Sequence, residues 1–244
     1  MISLNLKNKR EGTTGGFTLL ELLIVISIIA ILSIALVFML NPAETLKKAR
    51  DAQRISDLKT VKTALGIFLT STSTPNLQSG TTTAVCVTNN SNGTNQAGMI
   101  AYSAYPGPTT ITNTTSGSDG GTTASAFNST AGYVSSTAGK VDGNGWIPVN
   151  LKVLTSGTPI SAFPVDPVNT VSTTATSTDL VYRYACQNLS TITGRPSYIF
   201  EIDARLESSA YVTEDAKMSK DGGDNDNLYE SGNSLNLLPT GGTF

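Results

Sequence analysis

Residues 17–40 read FTLLELLIVISIIAILSIALVFML and are almost wholly apolar. As a helix with a rise of 1.5 Å per residue, this stretch would extend about 36 Å, and the hydrocarbon core of a bilayer measures about 30 Å. An ordinary secretory signal has a shorter apolar stretch followed by a small-residue cleavage site, and no persuasive site of that kind follows Leu40. The sequence therefore predicts a helix that spans a membrane.

Glu21 is the only ionisable residue in this stretch. An acid at the centre of a membrane helix costs about 2.5–3.5 kcal/mol, whereas each Leu, Ile, Phe or Val there favours insertion by about 0.3–0.6 kcal/mol. The favourable insertion free energies of the many Leu, Ile, Phe and Val residues therefore exceed the cost of inserting a single carboxylate. Two interpretations stay open: Glu21 reaches water at the near end of the span, or it meets a positive charge of another chain within the membrane.

The residues that precede the span predict its orientation. Residues 1–16 are short and polar, and they carry Lys7, Lys9 and Arg10 against a single acid, Glu11. By the positive-inside rule, this segment stays in the cytoplasm and the rest of the chain is exported.

The composition narrows the possible functions. The chain has 244 residues, a formal net charge of -2 and no histidine. Without a basic surplus, nothing indicates nucleic-acid binding. Without histidine, catalysis by Ser-His-Asp or Cys-His groups and zinc sites that need imidazole are excluded, whereas chemistry based on carboxylates is not.

Residues 16–21, Gly-Phe-Thr-Leu-Leu-Glu, resemble the cleavage and methylation motif of type IV prepilins and type II secretion pseudopilins. The resemblance implies that a prepilin peptidase cuts between Gly16 and Phe17 and methylates the new amino terminus of Phe17. It also implies that Glu21 pairs with the amine of a neighbouring subunit and fixes the register of the filament. The close resemblance covers residues 1 to about 70.

The same resemblance implies a structural role and not an enzymatic one. The expected partners are homologous pilin subunits, the peptidase, an inner-membrane assembly platform and membrane lipid. The precursor would cross the inner membrane once, and the mature subunit would enter an extracellular or periplasmic filament. Two alternatives stay open: a minor pilin that acts as a tip or adhesion module, and a membrane-tethered secreted enzyme, for which no catalytic motif is present.

Residues 41–70 are predicted to be helical and amphipathic. At Asn41-Pro42, either Asn41 caps a new helix with Pro42 in its first turn, or one long helix is kinked or locally melted, and the resemblance favours the second alternative. Apolar residues then recur at spacings of three and four, which predicts a face that packs on a sheet: Leu46, Ala49, Leu58, Val61, Leu65 and Phe68. The charged residues at 50–54 would form local ion pairs, pair between subunits or face solvent.

The expected fold is α+β and pilin-like: a long N-terminal helix, half transmembrane and half amphipathic, packed on a C-terminal antiparallel sheet with long loops. The predicted division is a leader at 1–16, the assembly helix at 17–40, the amphipathic helix at 41–70 and a β-rich exported domain at 71–244, whose middle is rich in Ser, Thr, Gly and Asn. Strands are predicted at 180–186 and 197–202.

The two cysteines, Cys86 and Cys186, would be exported into an oxidising compartment. A disulfide between them is predicted, and two free buried thiols are the alternative.

The acidic stretch at 221–230 carries many oxygen ligands of the kind that calcium binds. Secretion pseudopilins have a calcium-stabilised loop near the C-terminus, so the resemblance favours a calcium site here. Its candidate ligands are Asp221, Asp224, Asp226 and Glu230, and a solvated turn is the alternative.

Overall fold

A computed structural model of the chain describes residues 15–78, 85–89, 95–96, 98–113, 131–188 and 197–238. Contacts divide the chain between Thr45 and Leu46 into two compact units. Helix α1, Leu19–Leu40, belongs to the first unit, and most of helix α2, Pro42–Ser71, belongs to the second together with the strands.

Helix α1 is apolar on all sides, and its described side chains are exposed. Its segment Leu19–Val37 has a mean hydropathy of 2.9 and is long and apolar enough to cross a membrane. A helix that is hydrophobic all round needs an apolar environment, either a protein core or a bilayer. The exposure of α1 therefore fits a helix that lies in lipid.

Asn41 separates the two helices. Its backbone is left-handed, with φ 38° and ψ 73°, a conformation that Asn tolerates better than most residues. Pro42 is the first residue of α2, where its missing N–H is of no consequence. The Asn41 carbonyl accepts hydrogen bonds from the N–H groups of Glu44 and Thr45 at 3.1 and 3.2 Å. The structure thus has two helices interrupted at Asn41, with a new helix at Pro42, and not one helix with only a kink.

Nine strands lie within the described residues: β1 Thr88–Asn89, β2 Asn95–Gln96, β3 Ala101–Tyr102, β4 Ile111–Asn113, β5 Ala131–Val134, β6 Thr174–Ala175, β7 Tyr182–Gln187, β8 Ile199–Ala204 and β9 Tyr229–Gly232. Strands β1 and β2 form an antiparallel pair. The other seven form one sheet in the order β6-β4-β5-β3-β7-β8-β9.

The α+β class is confirmed, but the sheet is mixed and not antiparallel throughout. Strands β7, β8 and β9 pair antiparallel as expected, whereas β3 pairs with β5 and β4 with β6 in parallel. Parallel pairing needs a long connection, and the chain between the members of each parallel pair supplies one. The strands predicted at 180–186 and 197–202 correspond to β7 and β8, each of which begins two residues later than predicted.

The inward face of α2 packs against β7 and β8. An apolar cluster joins Leu58, Val61, Ala64, Leu65 and Phe68 of the helix to Tyr182, Tyr184, Phe200 and Ile202 of the strands. Leu46 and Ala49, which were expected in this stripe, are exposed. In the helix turn that follows them, Asp51 and Arg54 are the buried residues, so the first part of the buried face is charged and not apolar.

Arg54 is fully buried and lies at the centre of an ion-pair network. Its Nε and Nη2 donate to both carboxylate oxygens of Asp166 at 2.7 and 3.0 Å. Its Nη1 donates to Asp51 and to Glu207, each at 2.8 Å. Burial alone would lower the pKa of Arg54. The hydrogen bonds and negative charges of these carboxylates have a larger, opposite effect, so the pKa lies above its ordinary value.

The network also reaches the backbone and the protein surface. Asp51 accepts hydrogen bonds from the N–H groups of Glu207 and Ser208. The partly exposed Arg50 donates to both oxygens of Glu207 at 2.7 and 2.9 Å. The local pair that the sequence suggested is present between Asp51 and Arg54, but the remaining partners come from distant parts of the same chain.

This network predicts a contribution of Glu207 to stability that disappears in acid. Hydrogen bonds from Arg50, and then those from Arg54, hold the pKa of Glu207 at about 2, below its ordinary value of 4.5. The contribution is therefore complete above the unfolded-state pKa and is lost as the pH falls from about 4.5 through 2. Urea unfolding at several pH values in this window should show a smaller decline in Glu207→Gln than in the unaltered chain, and equal declines would contradict the prediction.

Two further contacts fix loops to the core. The segment at 145–149 is anchored by Trp146, which is fully buried and donates from Nε1 to the Pro164 carbonyl at 2.8 Å. Cys86 and Cys186 form a disulfide with their Cα atoms 4.5 Å apart. Cys186 lies in β7, so the bond ties the chain that precedes β1 to the middle of the seven-stranded sheet.

Candidate functional site

Thr18 and Glu21 form a reciprocal cap at the start of α1. The Thr18 hydroxyl oxygen accepts a hydrogen bond from the Glu21 N–H at 3.2 Å. In return, Oε2 of Glu21 accepts from the Thr18 N–H at 2.9 Å and from the Thr18 hydroxyl at 2.8 Å. This capping box satisfies two N–H groups that the first turn of a helix leaves without partners.

The cap places an exposed carboxylate beside the residues that precede the helix. Gly16 and Phe17 come directly before Thr18, and Phe17 is 82% exposed. A Cβ added at Gly16 would meet no atom within 4 Å, so the space around this residue is open. An ionised carboxylate has about four acceptor sites, so Glu21 keeps capacity for a further cation after its two bonds to Thr18.

Thr18 is the residue of this site that was not expected from the sequence. A Thr followed three residues later by Glu, directly before an apolar run, is the sequence signature of a capping box, and residues 18–21 carry it. The signal was therefore present in the sequence, and it assigns Glu21 a local role besides the one that the resemblance implies.

A second candidate site lies near the C-terminus. Glu201 of β8, Asp224 and Glu230 of β9 each place one carboxylate oxygen within 4.8 Å of the other two. Asp224 is exposed, whereas Glu201 and Glu230 are 0% and 3% exposed. Three carboxyl groups therefore lie close together, and two of them are buried.

The structure brings together two of the four residues that the sequence suggested for calcium, Asp224 and Glu230. Asp221 instead shapes the loop, because its two oxygens accept from the N–H groups of Gly223 and Glu230 at 3.0 and 2.7 Å. Asp226 is exposed and lies outside the three-acid cluster.

Glu201 was missed because it is remote in sequence and lies within a strand. Its neighbours Phe200 and Ile202 belong to the apolar cluster beneath α2. Alternation along β8 therefore directs Glu201 to the opposite face of the sheet. That alternation was the available signal, but it does not reveal which distant acids share the face.

The buried carboxyls of this cluster are only partly satisfied. Oε2 of Glu201 accepts from the N–H groups of Leu237 and Leu238 at 2.6 and 2.7 Å, and Oε2 of Glu230 accepts from Asn225 at 3.1 Å. Oε1 of Glu201 and Oε1 of Glu230 are buried and accept from no N–H group, and a side-chain hydrogen bond joins the two carboxyl groups. Burial, together with nearby acids, raises the pKa of Glu201 to about 9 and that of Glu230 to about 10.

This arrangement suits a hard cation. The raised pKa values mean that Glu201 and Glu230 are protonated at neutral pH, because a buried carboxylate without a counter-charge is costly; a bound cation would offset that cost. The loop also closes tightly on the cluster, because a Cβ at Gly223 would overlap the Glu230 carboxyl. Glu201, Asp224 and Glu230 are the residues that would hold the calcium ion that the resemblance implies.

Comparison with known proteins gives a match for the site at Thr18 and Glu21, and none for the acidic cluster near the C-terminus. Residues 13–37 match the family model described as the prokaryotic N-terminal methylation motif, which is the signal motif of type IV pilins and pseudopilins. No curated protein and no solved structure matches the chain. The matched segment contains Gly16, Phe17, the capping box and most of α1.

Proposed function

We propose that the chain is the precursor of a structural subunit of a type IV pilus or of a type II secretion-like filament. The observation that carries this proposal is the methylation motif, which covers the residues before α1 and most of this helix, and α1 is long and apolar enough to cross a membrane. The motif supports a precursor of the type IV pilin or pseudopilin kind.

The first step of the proposal is processing. A prepilin peptidase removes the leader at 1–16 by cutting between Gly16 and Phe17, and it methylates the new amine of Phe17. The exposed side chain of Phe17 and the open space around Gly16 support access to this peptide bond. The cut separates the polar leader from the apolar helix, so the mature chain begins at the edge of the membrane span.

The second step is assembly through Glu21. Processing creates an α-amine with a pKa near 8, which is positively charged at neutral pH. In lipid such a charge needs a counter-ion, and helices there associate without a hydrophobic driving force. Pairing of the amine of one subunit with Glu21 of its neighbour satisfies both charges and sets the register between the two helices.

This function places the precursor in the inner membrane with its N-terminus in the cytoplasm, and the mature subunit in an extracellular or periplasmic filament. Its partners are homologous pilin subunits, the peptidase, the assembly platform and membrane lipid. Mass spectrometry of purified surface filaments tests the proposal. The expected result is a mature chain that begins at methylated Phe17, and filaments that contain the chain with residues 1–16 attached would contradict it.

Glu21→Ala should leave cleavage largely intact but reduce incorporation into filaments at least about tenfold, because loss of about 1.4 kcal/mol per contact changes an association constant by that factor. Quantitative immunoblots of sheared filaments against whole cells measure incorporation, and the size of the membrane-bound chain reports cleavage. Glu214→Ala removes an exposed acid from the second unit and serves as the control.

Glu21→Gln distinguishes the effect of the negative charge from the effect of the capping hydrogen bonds. Glutamine at this position can still complete a capping box with Thr18, but it cannot neutralise an amine. We expect Glu21→Gln to fail in assembly as Glu21→Ala does. Normal filament levels in Glu21→Gln would reject the registration role of the carboxylate and leave only its capping role.

A further inference from the structure

A cleft with a volume of about 330 Å³ opens beside the end of β8. Its lining comes from the turn before β7, from the residues that follow β8, and from the short helical segment Ala210–Glu214. All three stretches belong to the second unit of the chain. A volume of this size is within the range of sites that bind small ligands.

Arg205 lines this cleft and is half-buried. Among the described residues, its side chain has one hydrogen bond, from Nη1 to the Asn227 carbonyl at 2.7 Å, and no ion pair with a carboxylate. A guanidinium has five N–H donors. The edge formed by Nε and Nη2 therefore keeps two parallel donors, the arrangement that matches the two oxygens of a carboxylate.

The charges around Arg205 leave its positive charge without a balancing acid. Burial lowers the pKa of Arg205, the nearby Arg183 lowers it further, and the opposite effect of Asp51 is smaller than either. Asp203, two residues earlier in β8, lies directly opposite Arg183 in the strand register. An anion bound at Arg205 would therefore offset both its desolvation and its repulsion by Arg183.

Glu207 is the acid among the described lining residues, and it already has two cationic partners. Arg50 donates to both of its oxygens, and Arg54 donates to Oε1. These bonds hold the pKa of Glu207 at about 2, so its carboxylate is ionised and paired at neutral pH. Glu207 therefore does not take the place of a ligand at Arg205.

The wall opposite Arg205 is held in place by hydrogen bonds. Nη2 of Arg183 donates to the Thr176 carbonyl at 2.6 Å, and Oδ2 of Asp179 accepts from the Thr176 N–H at 2.7 Å. These bonds fix the turn that carries Thr178 and Leu180, the two residues of this wall that line the cleft. The cleft is thus formed before any ligand enters, which lowers the entropic cost of binding.

We propose that this cleft binds the carboxyl group of a ligand that carries it on a short hydrocarbon chain. The two carboxylate oxygens accept from Nε and Nη2 of Arg205, and the hydrocarbon chain packs against Leu180, Leu206 and Val212. Inorganic phosphate fits less well, because it has no apolar part to cover these three side chains. A free aliphatic acid and the glutamate side chain of a peptide share the required chemistry.

NMR spectroscopy of the full chain in an uncharged detergent tests the charge requirement. The Nε–Hε resonance of Arg205 is identified by its absence from the spectrum of Arg205→Lys. Sodium butyrate should shift this resonance to saturation, whereas butyramide, its uncharged analogue, and sodium chloride at equal ionic strength should not. Absence of a saturable shift with butyrate, or an equal shift with butyramide, would overturn the proposal. Equal or tighter binding of inorganic phosphate would overturn the choice of a carboxylate.

Two variants locate the site, with saturation transfer from the protein to butyrate as the readout. Arg205→Gln removes the charge, and Thr178→Trp fills the cleft from an exposed position on the opposite wall without changing Arg205. Both should lose the transfer, and Thr178→Trp should keep the melting temperature of the unaltered chain. Lys59→Gln removes an exposed cation outside the cleft and should keep the transfer. Retention of the transfer in both cleft variants would overturn the location.

Glutamate blocked at both its amino and its α-carboxyl group distinguishes the two sources of the carboxylate. Tighter binding of blocked glutamate than of butyrate supports a peptide side chain as the ligand, and tighter binding of butyrate supports a free acid. Binding of neither would overturn the proposal. These outcomes do not rest on the proposed filament function, because the cleft lies in the second unit and none of the measurements requires assembly.

Discussion

Arg54→Met should lower the free energy of unfolding by about 3–5 kcal/mol, the loss typical of removing one partner of a buried ion pair. The substitution leaves the buried carboxylates of Asp51 and Asp166 without the guanidinium that binds both, and it removes one of the two arginines that bind Glu207. Methionine has a similar length, so a cavity contributes little to the expected loss.

Urea unfolding followed by tryptophan fluorescence measures this loss, because the chain contains one tryptophan and Trp146 is fully buried in the same unit as Arg54. Arg50→Met is the matched control. The Arg50 side chain is 34% exposed and pairs with Glu207, so we expect a loss under about 1 kcal/mol. Equal losses in the two variants would mean that burial of Arg54 has no special consequence for stability.

The double variant Cys86→Ala/Cys186→Ala should lose about 4–5 kcal/mol on the chain-entropy estimate for a loop of this length. The disulfide joins residues separated by 100 positions, so it restricts a large part of the unfolded chain. Alanine is preferred to serine here because both positions are fully buried, and a buried hydroxyl without a partner adds its own cost.

Reduction of the unaltered chain with dithiothreitol measures the effect of the crosslink on stability without changing either side chain. The reduced protein keeps both sulfur atoms in the core but loses the bond, and it should reproduce most of the loss seen in the double variant. A change below about 1 kcal/mol in both samples would show that the unfolded chain is already restricted in other ways.

The parts of the fold that the sequence predicted are those whose signal is local. The apolar helix, predicted at 17–40 and present at Leu19–Leu40, follows from length and hydropathy, and β7 and β8 follow from apolar alternation between turn-forming residues. The α2 stripe from Leu58 onward follows from a spacing of three and four. Each of these signals is complete within about 25 residues of chain.

The parts that the sequence did not predict depend on partners far apart in the chain. Arg54 pairs with Asp166 and Glu207, which lie 112 and 153 residues away, so its burial could not be inferred from the charged run at 50–54. Glu201 joins a loop that follows more than twenty residues later. For these residues, only the three-dimensional pairing distinguishes a solvated charge from a buried one.

The anchoring of α2 by Arg54 has a mechanical consequence. Helix α2 is the covalent connection between the apolar helix and the sheet, so tension applied to the chain passes along it. Charge-assisted hydrogen bonds are directional and short, and the bonds of Arg54 hold the helix to the loop at Asp166 and the segment at Glu207. Along α2, these bonds lie nearer to α1 than the apolar contacts from Leu58 onward, so a pull transmitted from α1 reaches the ion-pair network first.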